Sequence, residues 1–466
     1  MFQSTFSHAR QGYRICFLLF AVVFCWQQVN AQSQSDWMQN LDGKRKITEF
    51  SIPGTHDSGS DQGTDFAKCQ DKSIQQQLEA GIRFLDIRCR HYKDSFEIHH
   101  SGEYMDKNFD DVLTSCQHFL KRHKGETIIM TVKEEHTSDG NTRDFTETFN
   151  YYWDKYPNLF STTDSIPVLN SVRGKIVLLK RFNYPTKKDV PNKGGINIDR
   201  WKDNATGQLF KPLGGYVQDE YYWGVCDART KSGKVDKVLS CINRAMFDKG
   251  SDLYINFLSA TGNFPYCFSD FVNPQVLEYL KPLKIRKVGI LVMDFPSQKL
   301  IDEIISKNSY ETYKAPANFS ENYIGKTVRI KPSKDEKPVC YWEVKDSGTK
   351  EGDLIQLWPT EGNQTKWRFE WGDSTKGIIR IKNVNSRKYL GAKSTIENGV
   401  KCCLMSKEKC MDFFVTQTDD TYSFWSTKKG NYIPIECEDG NLGQSTKIQF
   451  WNTTKKRIQW KIKIVD

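Results

Sequence analysis

Between about Ile47 and Lys307, short apolar runs alternate with longer polar or amphipathic stretches. Phe84-Leu-Asp-Ile87, Thr127-Ile-Ile-Met-Thr-Val132, Lys175-Ile-Val-Leu-Leu179, Leu253-Tyr-Ile-Asn-Phe257 and Lys287-Val-Gly-Ile-Leu-Val-Met293 are nearly continuous in apolar residues. Such runs are expected of parallel strands buried on both faces. Ser73 to Ala80 and Phe109 to His123 supply helical material between them. Strand-helix alternation over this length predicts an α/β domain, a (β/α) TIM-type barrel that is regular or distorted, with its site at the C-terminal strand ends. A doubly wound open sheet competes, but no Gly-rich phosphate loop follows the first strand. After Tyr310-Glu-Thr-Tyr-Lys-Ala-Pro-Ala317 the helical rhythm stops and short strands with turn signals run to the end.

That tail repeats. Trp358 and Trp367 stand nine residues apart, as do Met405 and Phe414, and Trp451 and Trp460. Three units of nearly equal length predict threefold architecture, because one small unit cannot bury its apolar face alone. Gln356-Leu-Trp358 and Gln449-Phe-Trp451 carry a Q-x-W signature, with Cys403-Leu-Met405 a worn third copy. The pattern resembles the ricin-type β-trefoil over residues 320–466, with the tryptophans expected in its core. The resemblance implies a glycan-binding surface, best placed in the third repeat around Glu438-Asp439-Gly-Asn441 and Gln449.

The chain has 466 residues and a net charge of +10, spread thinly enough to suit an anionic surface without indicating nucleic acid. Arg10 and Arg14 precede an apolar run, Ile15 to Trp26, followed by Val29-Asn-Ala31, which predicts a signal peptide over residues 1–31. Secretion would place the remaining eleven cysteines in an oxidising compartment. The six in the first domain, Cys69, Cys89, Cys116, Cys226, Cys241 and Cys267, allow 15 pairings and no assignment. Disulfides are expected to include Cys402, Cys403 and Cys410. Sequons at Asn204, Asn318, Asn363 and Asn452 accord with a secreted glycoprotein.

The chemistry lies in the first domain. Ile52-Pro-Gly-Thr-His56-Asp57-Ser sets a histidine and a carboxylate in a turn after a short strand. In Gly81-Ile-Arg-Phe-Leu-Asp86-Ile-Arg88-Cys-Arg90, alternation turns Asp86, Arg88 and Arg90 to one face and Ile87 and Cys89 to the other. Charges facing into a barrel are costly unless they pair or bind a ligand. Glu97-Ile-His99-His100 and the charged end of the next strand, Lys133-Glu134-Glu135-His136, repeat the theme.

These runs, together with Gly174-Lys-Ile-Val-Leu-Leu-Lys-Arg181, Val217-Gln-Asp219-Glu-Tyr221 and Val292-Met-Asp294, resemble the X domain of phosphatidylinositol-specific phospholipase C in its secreted, bacterial-type form. The resemblance covers most of residues 40–310 and implies a domain over residues 32–312. It implies a phosphodiesterase that releases diacylglycerol and inositol 1,2-cyclic phosphate, with glycosylated phosphatidylinositol anchors as a further substrate class. His56 would be the general base and His100 the general acid, with Asp294 orienting His56, Asp57 supporting the leaving-group side and Arg88 clamping the phosphate. Lys133, Arg181, Asp219 and Tyr221 would line the inositol pocket, and Asp86 would hold Arg88 or the histidines. His99 should point away.

With Arg88 where calcium-dependent relatives hold a cation, the resemblance implies no metal and no cofactor. The partner implied is a phosphatidylinositol-containing membrane, yet Ser60 to Asp71, where relatives carry an apolar docking helix, has no Trp. The alternative is a glycan-binding or toxin-like protein whose barrel is retired. A metal-dependent glycerophosphodiesterase would need carboxylates in place of Arg88.

Overall fold

The computed structural model describes residues 34–182, 190–198, 201–208, 214–248, 250, 252–261, 264–334, 337–427, 432–452 and 459–465. The expected signal peptide lies outside them. No helix among the described residues is long and apolar enough to cross a membrane.

The first domain runs β1 (Ile52–Thr55), α1 (Ile74–Glu79), β2 (Phe84–Tyr92), β3 (Ser95–His100), β4 (Glu103–Asn108), α2 (Phe109–Arg122), β5 (Ile128–Glu134), α3 (Phe145–Lys155), α4 (Leu169–Val172), β6 (Ile176–Arg181), β7 (Ile196–Asn197), β8 (Thr206–Gln208), β9 (Gly215–Gln218), α5 (Ala228–Phe247), β10 (Leu253–Phe257), α6 (Pro265–Leu280), β11 (Ile290–Met293) and α7 (Gln298–Ser306). Its helices begin where short polar side chains take up free backbone N–H groups: Ser73 accepts from Gln76, Asp144 from Glu147 and Asp227 from Thr230.

Eight strands pair in parallel in the order β7-β6-β5-β2-β1-β11-β10-β9, and β3, β4 and β8 add antiparallel pairs. Among the described residues β7 and β9 do not pair, so the barrel is curled but open between them. Alternation sorts the side chains into two layers. Phe84, Ile129, Val177, Ile255 and Val292 fill the inside, while Leu85, Ile87, Met130, Val132 and Leu178 pack outward against the helices. Register then fixes the rows: Asp86 pairs with Thr131, Arg88 with Lys133 and Lys133 with Arg181. The inward positions therefore change from apolar at the bottom to charged at the top.

The C-terminal region has its own core. A helix, α8 (Ala317–Tyr323), precedes twelve strands: β12 (Thr327–Pro332), β13 (Tyr341–Val344), β14 (Ile355–Trp358), β15 (Trp367–Asp373), β16 (Ile378–Asn383), β17 (Tyr389–Gly391), β18 (Cys403–Met405), β19 (Phe413–Thr418), β20 (Thr421–Ser426), β21 (Ile435–Cys437), β22 (Ile448–Phe450) and β23 (Trp460–Ile464). Six of them close a ring, β12-β15-β16-β19-β20-β23, and β23 returns to β12. Three hairpins, β13–β14, β17–β18 and β21–β22, complete three equivalent units.

The Q-x-W signature has a physical basis here. Gln356 donates to buried Glu343 across the first hairpin at 2.9 Å, and Gln449 donates to buried Glu436 across the third at 3.0 Å. In the worn unit both partners are gone together, because Gly391 faces Cys403 in register.

Three expectations need correction. Trp367 and Trp460 are core residues, but Trp358 is half-buried and Trp451 is 39% exposed, since their strands end at the hairpin edge. Gln449 is sealed by Glu436 and Lys401, so it has no free amide for a sugar. Cys402, Cys403 and Cys410 carry thiols, and the disulfide found among the described residues is Cys226–Cys267.

The two regions meet at the far end of α5. Phe247 stacks on Phe414 with centroids 4.8 Å apart, and Tyr313, Trp425 and Tyr432 enclose it. Asn243 donates to the Tyr432 carbonyl and to Asn452 Oδ1, while Asn452 donates to Ser240. Asn452 is therefore buried in this contact and cannot carry a glycan in the folded chain; Asn204, Asn318 and Asn363 are exposed.

Candidate active site

Most site residues sit at or just past the C-terminal end of a barrel strand, where side chains converge; Asp86 and Arg88 face inward from within β2, and His100 ends the antiparallel β3. His56 follows β1, and its N–H bonds the carbonyl of Met293 at the end of β11, which brings it beside Asp294. His56 Nδ1 lies 2.8 Å from Asp294 Oδ1, so Nδ1–H donates to the carboxylate and Nε2 carries the lone pair. Arg88 Nη2 donates to that Nε2 at 2.8 Å. Burial pulls the His56 pKa down, as does Arg88, but the charge and hydrogen bond of Asp294 outweigh them and hold it above the usual 6.5.

His100, at the end of β3, faces His56 with centroids 6.4 Å apart and planes at 89°. Its Nδ1–H donates to the Ala67 carbonyl at 2.6 Å, which leaves Nε2 as the nitrogen free to carry a proton to a ligand. Asp57 occupies a left-handed turn position with φ 40° and lies fully buried between them. Its Oδ2 is 3.9 Å from His100 Nδ1 and 4.0 Å from Arg88 Nε, and neither carboxylate oxygen has a hydrogen bond. Burial pushes its carboxyl pKa up, against the pull of Arg88 and both histidines.

Asp86 holds the cationic row together. It accepts from Thr131 at 2.8 Å and from Arg88 Nε at 3.3 Å, and lies 3.6 Å from Arg181 Nη1. Burial would raise its pKa, but Arg88 and Arg181 drive it well below the carboxylate range. Arg88 stays charged: burial opposes this, and Asp86, Glu135, Asp57 and Asp219 prevail. Lys133 Nζ is 3.4 Å from Glu135, and the Arg181 guanidinium carbon lies 3.5 Å from the Trp201 ring centroid, with Nη2 3.8 Å from Asp219. Tyr221 donates to Asp203 at 2.7 Å, which with burial pushes its hydroxyl up to about 12.

His56, Arg88, His100, Lys133, Glu135, Arg181, Asp203, Asp219, Tyr221 and Asp294 line one cleft together with Ser259, Thr261 and Pro265. Its cationic row suits a phosphate, the facing imidazoles suit two proton transfers, and the mixed polar wall suits a polyhydroxylated ring. Asp57, Asp86 and the ten-residue set as a whole converge, although Asp57 and Asp86 lie beneath the lining. Arg90 leaves the site to stack on Tyr92, and His99 turns away to Glu97 and His136.

A sequence profile described as phosphatidylinositol-specific phospholipase C, X domain, matches residues 44–182. The 1-phosphatidylinositol phosphodiesterase of Staphylococcus aureus (strain Newman) is 33% identical over 304 residues, covering 60% of this chain and 95% of the relative. That of Listeria monocytogenes is 31% identical over 303 residues, covering 60% and 87%. This chain belongs to the phosphatidylinositol-specific phospholipase C family. A solved S. aureus phospholipase C carrying pentafluoro-Phe superposes with TM-score 0.54 at 30% identity, covering 60% of this chain and 98% of that one. The L. monocytogenes phospholipase C gives 0.50 at 29% identity, covering 59% and 98%.

Sequence reasoning missed Glu135, Trp201, Asp203 and Cys69. Glu135 had a signal, since it follows Lys133 by two and shares its inward parity. Trp201 and Asp203 sit in an irregular stretch with no period to follow. Cys69 was one of six first-domain cysteines with no assignable pairing.

Proposed function

We propose that this phospholipase C family member cleaves phosphatidylinositol by using the inositol 2-hydroxyl as an internal nucleophile. His56 Nε2 takes the hydroxyl proton once the phosphate draws Arg88 away from it, and the oxygen attacks phosphorus. The guanidinium, already charged and anchored by Asp86, meets the nonbridging oxygens. His100, protonated at Nε2, gives its proton to the departing glycerol oxygen, and diacylglycerol leaves with the inositol 1,2-cyclic phosphate retained until release. Internal attack removes the entropy cost of capturing water, and each proton transfer contributes about 10²–10⁴-fold. Lys133, Arg181, Asp219 and Tyr221 bind the ring hydroxyls. No step calls for a metal, because Arg88 supplies the permanent positive charge.

The observation that carries this reading is the pair of imidazoles at right angles with Arg88 on the nitrogen of one of them. Phosphorus NMR on phosphatidylinositol vesicles with EDTA present should detect the cyclic ester, and His56→Ala should abolish it. Cyclic product from the variant, or turnover only with added calcium, would overturn the mechanism. A glycosylated phosphatidylinositol anchor in the same assay extends the substrate class.

A membrane is the natural surface for this site. Phe66 (65% exposed) stacks on Phe264 at 4.6 Å, and Tyr222, Val225 and Tyr266 are exposed on the same rim segments that supply Tyr221 and Pro265. A rim of this kind marks a lipid-docking face, and it replaces the missing Trp of the Ser60 to Asp71 stretch. We take the closed ring and three hairpins as a trefoil that tethers the enzyme to glycans, with exposed Trp451 as a platform, and the chain as secreted. Glycan-array binding lost in Trp451→Ala tests the tether.

A further inference from the structure

A sulfur that the phosphodiester chemistry does not use lies buried behind the His100 wall of the cleft. Cys69 is fully buried, and its Sγ is 3.7 Å from His100 Nδ1 and 3.6 Å from the Ala67 carbonyl. The ligand atoms of Asp57, Cys69 and His100 lie within 4.8 Å of one another, as do those of His56, Cys69 and Asp294. Asp57 is buried with both carboxylate oxygens unbonded, and Asp294 Oδ2 is unbonded as well. Buried carboxylate oxygens without donors are costly, so their presence beside a thiol and an imidazole marks room for a cation.

The spacing selects the kind of cation. Zinc–sulfur and zinc–nitrogen bonds of tetrahedral sites imply a sulfur–nitrogen separation of about 3.6 Å, against 3.7 Å observed between Cys69 and His100. The Asp57 to His100 distance of 3.9 Å needs only a small closure. Calcium and magnesium demand six or more oxygens and gain nothing from a thiol.

We propose that Cys69, His100 and Asp57 form an inhibitory site for a thiophilic divalent cation of the zinc class, buried on the Nδ1 side of His100, with its fourth position left to an oxygen ligand. The inhibition rests on the reading of His100 as general acid; the binding does not. On binding, the thiol proton leaves to solvent. The doubly protonated His100 gives up its hydrogen bond to Ala67 and releases the Nδ1 proton to solvent, so that the Nδ1 lone pair goes to the metal and the now neutral ring keeps its remaining proton on Nε2. That proton belongs to a metal-bound neutral imidazole and is too weakly acidic to reach the leaving oxygen. The nearby Arg88 guanidinium opposes the ion, while Asp86 and Asp294 favour it, so the site is reversible rather than structural.

The test uses the full chain, purified in chelator and then freed of it. Cobalt(II) titration should produce a near-ultraviolet thiolate charge-transfer band and visible bands of tetrahedral intensity, both lost in Cys69→Ser and Cys69→Ala. Zinc chloride should inhibit turnover reversibly by EDTA, and either variant should be at least about 10- to 100-fold less sensitive, the range that even outer-shell losses produce. Zinc should also raise the melting temperature of the parent chain and not of the variants. A cobalt spectrum unchanged by both substitutions, or equal zinc sensitivity in a folded variant, would overturn the site. If the chain proves inactive on phosphatidylinositol, the cobalt bands still decide the metal site separately from the functional reading.

Discussion

Two arginines five residues apart, Arg83 just before strand β2 and Arg88 within it, live in opposite ways. Arg83, at the bottom, is fully enclosed. Its guanidinium donates to Glu126, to the carbonyls of Leu78, Ile82 and Ser35, and lies 4.5 Å from the Phe119 ring centroid. Arg88, at the top, has one short contact, to His56 Nε2, and looser ones at 3.3–4.0 Å to Asp86, Glu135 and Asp57. The first is a finished network that closes the barrel floor. The second is held charged and aimed but left with donors to spend on a ligand. Barrels divide labour this way because strand bottoms end against packed loops, whereas strand tops open to solvent.

Substituting both arginines gives the sharpest break. Arg88→Ala should lower turnover on phosphatidylinositol by about 10²–10³-fold or more, the value of a positioned charge-stabilising donor, with the melting midpoint nearly unchanged. Arg83→Ala should cost about 3–5 kcal/mol of stability by stranding Glu126, while turnover per folded molecule stays near the parent value. Denaturant melts beside vesicle assays check both, and a reversed pattern would dissolve the contrast.

Asp294→Asn comes next, with an expected rate loss of about 10²-fold or more and a change in the pH profile. Asp294 is what holds the His56 pKa above 6.5 against burial and Arg88, so its loss should move the acidic limb of kcat/KM to lower pH. The sign for stability follows. In the parent, the protonated His56–Asp294 pair contributes fully below pH 6.5 and that contribution disappears as pH rises through the raised folded value; the variant should lack this dependence. An acidic limb shifting upward would mean that another group sets it. The smallest effect belongs to the rim: Phe66→Ser with Phe264→Ser should lower activity on vesicles about tenfold, about 1.4 kcal/mol for the pair, because the two stacked rings insert only partly and so contribute well below the about 1.5–3 kcal/mol each of full burial. Activity on a soluble inositol phosphodiester should not change.

Much of the site was legible because it rides on period-two strands. Once Phe84 was inside and Leu85 outside, Asp86 and Arg88 had to face inward, and the same parity carried Lys133 and Arg181. Arg90 obeys the alternation yet misses the site, because β2 by then has left the parallel sheet to pair with β3. Trp201 and Asp203 come from an irregular segment, and their contact with Arg181 and Tyr221 exists only after the strands converge. The Q-x-W tryptophans read as core, yet Trp451 is exposed, because the repeat conserves a hairpin pairing of Gln with Glu and leaves the strand end free.

The sequence by itself determined the alternation of buried strands and helices, the threefold tail, the two histidines and the inward arginine, since each is a local pattern that the backbone period converts into a face. Only the tertiary structure decided which charges meet: His56 with Asp294 from 238 residues away, Cys69 against His100, Cys226 with Cys267, and Asn452 sealed beneath Ser240. Those pairings depend on how strands lie side by side and how two domains dock. Such placement is set by packing across the whole chain, which no local pattern encodes.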